Sequence, residues 1–356
     1  MTELFQLDWH SGDAWPEWGA DPPPRPAYEK HYVTGPHGDH HAGEVLDVVH
    51  GADVERPGET REYQILRCHP CCLIHAWPLP APAALAAYYA REFYQRDKPD
   101  YVARYEQDRA WGEGCVHGPI LQACLRYAPQ TKTMLDIGAG PGIALDVGKA
   151  FGLETFGIEP NPDLCMVLER DRGHKMMADS LETVAERRLH HHGPPLAPWD
   201  LLYLYEVLEH QPNPEDFLLR CWDLLAAGGL LVVAVPNDYN SLQLAACARL
   251  GVQPYWLAPP QHLTMFTPKT LQLLLRRCGY AIVDTRATFP MEKFLFEDGR
   301  CYIGNNLIGR ACHAERMAYE LEAVRTGRWQ QLEQEYRSNV ALRIGRELVF
   351  IGIKID

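Results

Sequence analysis

The sequence predicts a doubly wound α/β fold on a seven-stranded, mostly parallel sheet. A small β unit precedes it and an insertion sits ahead of the last strand. Three observations carry that expectation. An apolar strand at 134–137 runs straight into Gly138-Ala-Gly140-Pro-Gly142, and 143–151 then has the pattern of a helix. Short apolar strands near 133–137, 154–158, 174–177, 200–204, 230–235 and 280–288 alternate with helical patterns, as parallel strands flanked by helices do. Four acids, Asp136, Glu159, Asp179 and Glu206, fall near the carboxyl ends of successive strands, where open α/β sheets bind ligands.

Residues 1–30 carry Trp9, Trp15, Trp18 and the run Asp21-Pro-Pro-Pro-Arg-Pro26, with neither helical nor strand period. They read as an extended arm, either docked by its tryptophans or reaching a second subunit of a homodimer. Residues 31–80 read as a small β unit. Strands at 44–49 and 62–67 are parted by a loop containing Pro57-Gly58, and Cys68-His-Pro-Cys71 turns into a third strand at 73–77. Residues 81–113 are mainly helical, with one helix expected over 83–105 and Tyr88, Tyr89, Phe93 and Tyr94 near one end of it. The α/β core takes 114–290 and 343–356, its last strand at 347–355 returning as the closing antiparallel member of the sheet. Between them, 291–342 form a helical insertion. There Arg310, His313, Arg316 and Glu320 share one helix face, which is either solvated or in contact with substrate. The His190-His-His192 run reads as a solvated loop, because three adjacent side chains converge poorly on one ion.

Composition bounds the function. The chain has 356 residues, 46% of them hydrophobic, enough for a large core plus an appended unit. A net charge of -13 argues against a nucleic-acid surface, which needs clustered Lys and Arg. No apolar run approaches the roughly eighteen residues of a membrane helix. The N-terminus lacks a basic-then-apolar signal segment. Eleven scattered cysteines fit a reducing compartment. The expectation is a soluble cytoplasmic protein whose partner is a small molecule.

The glycine turn narrows this further. Glycines there accept positive φ and let a ligand approach the backbone, while the following helix offers free N–H groups. A dinucleotide site has the spacing G-x-G-x-x-G; this chain has D-x-G-x-G-x-G, and an acid opening the turn suits a cationic or amine-bearing ligand. At this point the sequence resembles the class I S-adenosylmethionine (SAM)-dependent methyltransferases. The resemblance implies that Asp136, Gly138, Gly140 and Gly142 form the cofactor turn. Glu159 then meets the ribose hydroxyls, and Asp179-Ser180-Leu181 is the loop at the adenine amine. The stretch from Asp200 to His210, with Glu206, resembles the family's fourth strand and the segment after it. Leu224 to Asn237 resembles the glycine turn and fifth strand. The resemblance spans about a hundred residues.

It also reaches the N-terminal unit. Many such enzymes of sugar and natural-product pathways begin with a zinc ribbon of two C-x2-C pairs and a Pro-rich entry, similar to Leu79-Pro-Ala-Pro82 here. Cys68 and Cys71 match one pair; His37 and His40 occupy the place of the other. Zinc accepts two imidazoles and two thiolates, so these four are the candidate ligands, a metal-free hairpin being the other reading. In the resembling families the helix carrying Tyr88, Tyr89, Phe93 and Tyr94 crosses the mouth of the cofactor site.

Methyl transfer from a sulfonium is an in-line displacement in which the protein chiefly aligns the reactants. An oxygen or nitrogen acceptor can also need a base, and histidine suits that at neutral pH. Two candidates stand near the acceptor side: His210, after the fourth strand, and His262, in a segment resembling the family's P-x-H-x-x-x-F-T element. Their plainer readings are a turn cap and a loop-holding hydrogen bonder. Asn237, Tyr239, Tyr255 and Trp256 complete the expected acceptor wall. The expected function is methyl transfer to an oxygen or nitrogen of a polar sugar or natural-product intermediate. The rivals are a SAM-binding enzyme of carboxymethyl or decarboxylation chemistry and a catalytically silent regulatory subunit.

Overall fold

The computed structural model describes residues 31–34, 40–69, 71–181, 184 and 198–355, with side chains from residue 43 onward. The arm at 1–30, His37, the side chain of His40 and the 190–192 histidines lie outside the described residues.

The N-terminal unit contributes β1 (His31–Thr34), β2 (His40–Ala52), β3 (Thr60–Cys68) and β4 (Ile74–Trp77). The core then supplies β5 (Thr133–Ile137), β6 (Glu154–Ile158), β7 (Lys175–Met177), β8 (Trp199–Tyr205) and β9 (Leu225–Pro236). After these come β10 (Thr264–Met265), β11 (Tyr280–Ala287) and β12 (Glu347–Lys354).

Seven strands form the central sheet in the order β11-β12-β9-β8-β5-β6-β7. Neighbours from β9 to β7 run parallel, and β12 runs antiparallel between β9 and β11. The runs 201–204 and 230–235 are fully buried, because a parallel sheet covered on both faces leaves no polar side. From β5 the chain moves to β6 on one side, and β8 returns on the other. This switch point opens a crevice at the carboxyl ends of β5 and β8.

Three details differ from the sequence expectation. β9 starts at Leu225, since the glycine turn before it is absorbed as a bulge: Trp199 pairs with Leu225, and Leu201 with Leu230. The last strand is interior, leaving β11 at the edge. The helix expected over 83–105 is broken into Pro82–Ala87, a wider π-helical stretch Tyr88–Asp97, and Tyr101–Gln107. Pro99 explains the last break, since the residue before a proline is pushed out of the helical region; Lys98 has φ -134° and ψ 57°.

The N-terminal strands are seated on the core. β10 pairs antiparallel with β4, placing Thr264 opposite His75, so one sheet joins the N-terminal strands to a strand of the core. Its apolar face buries Tyr63, Ile65 and Ile74 against Tyr239, Trp256 and Met265, because a sheet must cover its apolar face. Gly51 permits the closest approach: a Cβ there would lie 1.9 Å from the Pro259 carbonyl oxygen. The N-terminal sheet thus buttresses the loop that carries His262.

Candidate active site

A cleft of about 1650 Å³ opens at the switch point. That exceeds the several hundred to about 1,000 Å³ of a pocket for one small molecule, and leaves room for a cofactor and an acceptor. Gly138, Gly140, Glu159 and Asp179 line one part, and His210 and His262 another.

The turn residues divide by role. Gly138, Gly140 and Gly142 all have positive φ, at 76°, 49° and 77°. Gly140 faces the cleft, with its missing Cβ 3.7 Å from Tyr101. Gly142 faces away: a Cβ there would lie 2.4 Å from Leu168 Cδ2, so this glycine packs the turn rather than lining the cleft. Asp136 is also behind the turn, 3% exposed and away from the cleft lining. Burial, reinforced by the Glu159 carboxylate, pushes its pKa up from 3.8 to about 8.

A folded-state pKa raised this way gives stability that is fully present below about pH 4 and is lost as the pH rises through about 8. Urea unfolding of the ligand-free protein across that range should therefore show a falling contribution that Asp136→Asn removes. A pH slope unchanged by the substitution would mean that Asp136 ionises freely in the fold.

Glu159 joins the turn to the next strand. Its Oε2 accepts the Gly140 N–H at 2.9 Å, and its Oε1 accepts the Asn161 N–H at 2.9 Å and the Tyr94 hydroxyl at 3.3 Å. Burial raises its pKa while those donors oppose the shift. At the end of β7, Asp179 accepts the Ser180 N–H at 2.9 Å, and Leu181 is buried in the main core. Glu206 has φ 55° just past β8. Burial pushes it up to about 7, and the Tyr105 hydroxyl donates to it at 3.4 Å.

An aromatic ladder, Phe93–Tyr94–Tyr101–Tyr105, spans these acids with successive ring centroids 5.0, 5.7 and 4.6 Å apart. Tyr101 and Tyr105 were missed in the sequence, although their i, i+4 spacing marks one helix face. Tyr89 turns to the opposite end, its hydroxyl 3.0 Å from His210 Nδ1. Tyr88 is core, donating to Asp97 at 2.6 Å.

At that end, Leu263 N–H donates to the Glu209 carbonyl at 2.8 Å and ties the turn after β8 to the His262 loop. The His210 and His262 rings sit edge to face, 5.2 Å between centroids. Burial pushes His210 down to about 4 and His262 down to about 3, leaving both neutral at pH 7.

The sequence profile of the methyltransferase domain matches residues 106–285, just over half of the 356-residue chain. The chain belongs to the methyltransferase domain family. Among curated relatives, the Ubiquinone biosynthesis O-methyltransferase of Bradyrhizobium sp. (strain ORS 278) is 30% identical over 134 residues, covering 35% of this chain and 51% of that protein. That of Rhodopseudomonas palustris (strain BisB5) is 28% identical over 175 residues, covering 46% and 66%. The chain thus spans about half to two thirds of the length of these relatives. A solved Burkholderia thailandensis 1,6-didemethyltoxoflavin-N1-methyltransferase, holding 1,6-didemethyltoxoflavin and S-adenosylhomocysteine, is 16% identical. It covers 83% of this chain and 96% of that one with a TM-score of 0.45.

Part of the expected acceptor wall of this methyltransferase domain is structural instead. Asn237 donates to the Ile344 and Gly345 carbonyls at 3.2 and 3.0 Å, pinning the loop after β9 to the start of β12. Tyr239 donates to Asp47 at 3.2 Å, and Trp256 is buried in the seam with the N-terminal sheet. Tyr302 and Arg310, from the insertion, line the cleft in their place. The polar face predicted for the helix Asn306–Arg325 is half ion network and half wall. Arg316 and Glu320 are buried, with Arg316 3.2 Å from Glu347 and Trp111 Nε1–H donating to Glu320 at 2.5 Å. His313 and Arg310 reach the cleft.

The candidate metal ligands regroup. Cys68, Cys71 and His75 bring ligand atoms within 4.8 Å of one another. His75 was read only as part of a strand; β4 folds back on β3 and sets it beside the thiols. Among the described residues, two sulfurs and an imidazole supply three of the four ligands that a tetrahedral zinc site takes.

Proposed function

We propose that the chain is a SAM-dependent methyltransferase moving a methyl group to an oxygen or nitrogen of a polar small molecule, a sugar or natural-product intermediate. The observation that carries this is Glu159 bonded to the Gly140 N–H at the cleft, with Asp179 and Glu206 at the neighbouring strand ends. Three carboxylates around a glycine turn suit the hydroxyls, adenine amine and amino group of SAM and repel a pyrophosphate. The name of the curated relatives, which specifies O-methylation, favours oxygen as the acceptor atom.

In this reading Gly138 and Gly140 let the cofactor approach the backbone. Glu159 holds the ribose, the Asp179–Leu181 loop meets the adenine, and Glu206 faces the methionine end. Asp136 and Gly142 support the turn from behind. His262, with His210, serves the acceptor. The aromatic ladder and the helix Asn306–Arg325 exclude water, which leaves alignment of oxygen, methyl carbon and sulfur as the main catalytic effect. Cys68, Cys71 and His75, with a fourth ligand from His37 or His40, would hold a structural zinc that stiffens the N-terminal sheet.

The test is an acceptor screen with methyl-labelled SAM across hydroxyl- and amine-bearing polar small molecules. Label in the acceptor is the expected result. SAM consumed without methyl transfer would favour carboxymethyl or decarboxylation chemistry, and SAM bound without any turnover would favour a regulatory subunit.

A further inference from the structure

Glu209, His210 and His262 each bring a ligand atom to within 4.8 Å of the other two. The chemistry of that cluster is unbalanced. Both Glu209 carboxylate oxygens are buried without a hydrogen-bond partner, and so is His262 Nδ1. His210 Nδ1 is directed at the Gln261 carbonyl, with the Tyr89 hydroxyl alongside. That ring nitrogen therefore carries the proton, and Nε2 keeps its lone pair. Nε2 lies 3.7 Å from Glu209 Oε1, too far for a hydrogen bond. Three ligand-capable side chains thus meet with these atoms unpartnered, and among the described residues no Lys or Arg pairs with Glu209. Burial and the nearby Glu206 raise the Glu209 pKa well above the usual carboxylate value, so this group is neutral when alone and takes its charged form when a cation lies beside it.

We propose that Glu209, His210 and His262 bind a divalent first-row transition-metal ion at the acceptor end of the cleft, its open coordination positions taking a hydroxyl oxygen of the acceptor. Two imidazoles and one carboxylate suit such ions and leave positions free for other ligands. The Nδ1–H of His210 bonded to a backbone carbonyl is the outer contact that fixes a metal-binding imidazole. The bond from Leu263 N–H to the Glu209 carbonyl holds the two ligand-bearing loops together. His210 and His262 line the cleft, so the ion would be open to substrate.

The consequence for the reaction rests on the methyltransferase reading; the binding site does not. A hydroxyl bound to the ion would have its pKa lowered, as that of metal-bound water is, which would ease loss of its proton to solvent. Its oxygen lone pair then forms the bond to the methyl carbon. The carbon–sulfur bond breaks, and its electron pair stays on the sulfur of S-adenosylhomocysteine. In this arrangement His262 acts through the ion rather than as a free base.

The test is a Mn2+ titration of the chelator-stripped full chain, with free Mn2+ read by electron paramagnetic resonance. Wild type should bind about one Mn2+, a hard ion that thiolates such as Cys71 do not favour. Glu209→Gln and His262→Ala should each weaken binding by about tenfold or more. Calorimetry showing unchanged SAM affinity would establish that both variants are folded. Cys71→Ser should leave Mn2+ binding as it was. No Mn2+ bound by wild type, or binding unaffected by both substitutions, overturns the site. Mn2+ bound at these residues in a protein that transfers no methyl group supports the site and counts against the methyltransferase reading alone.

Discussion

Glu159→Ala should weaken SAM binding by about a hundredfold or more in calorimetry on the full chain. Glu159 accepts two backbone N–H groups, from Gly140 and Asn161, and so holds the glycine turn against the strand after it. Hydrogen bonds to charged groups contribute about 1.5–3 kcal/mol each, and a tenfold change in affinity is about 1.4 kcal/mol. Losing the contacts to the turn together with those to the ribose therefore exceeds a hundredfold. Glu159→Gln separates charge from shape: its amide cannot accept at both positions, and an N–H facing the Gly140 N–H repels it. That variant should bind weakly as well, at near-normal thermal stability. Near-normal SAM affinity in both variants would place the ribose elsewhere in the cleft.

His262→Ala should have the opposite signature, with SAM affinity retained and turnover reduced by about a hundredfold to ten-thousandfold, the usual loss when the group that promotes the acceptor's deprotonation, directly or through a bound ion, is removed. The structure separates the two effects in space. Glu159 and Asp179 lie at the ends of β6 and β7, while His262 lies on the loop before β10, against His210 and beneath the N-terminal sheet. Steady-state kinetics with a saturating acceptor would expose the change in kcat. Turnover equal to wild type would remove His262 from the reaction and leave alignment by the cleft walls as the account.

The parts legible in the sequence are those that local chemistry decides. The strand-glycine-helix unit at 133–151 announces itself, because only glycines take three positive φ values so close together and the apolar period changes on either side. Strand ends carrying Glu159, Asp179 and Glu206 could be placed because alternating strands and helices force a parallel sheet, whose ligand edge is then known. The antiparallel return of the last strand was expected from the resemblance to the class I methyltransferases.

What the tertiary structure decided depends on groups far apart in the chain. Asp136 and Gly142 share a motif with Gly138 and Gly140, yet one carboxyl sits under the turn and one glycine packs on Leu168. A sequence gives the spacing of such residues but not which way each faces. His75 joined Cys68 and Cys71 only because β4 folds onto β3, and Asn237 proved to be a clamp because β12 lies beside β9. Glu209 reads in the sequence as one more acid after a strand. Its burial beside two imidazoles comes from a loop some fifty residues later folding over it, held by the bond from Leu263 to its carbonyl. The sequence determined the framework through backbone preference and apolar period. The unpartnered carboxyl group of Glu209 arises from long-range packing, which removes water from whatever side chains it encloses.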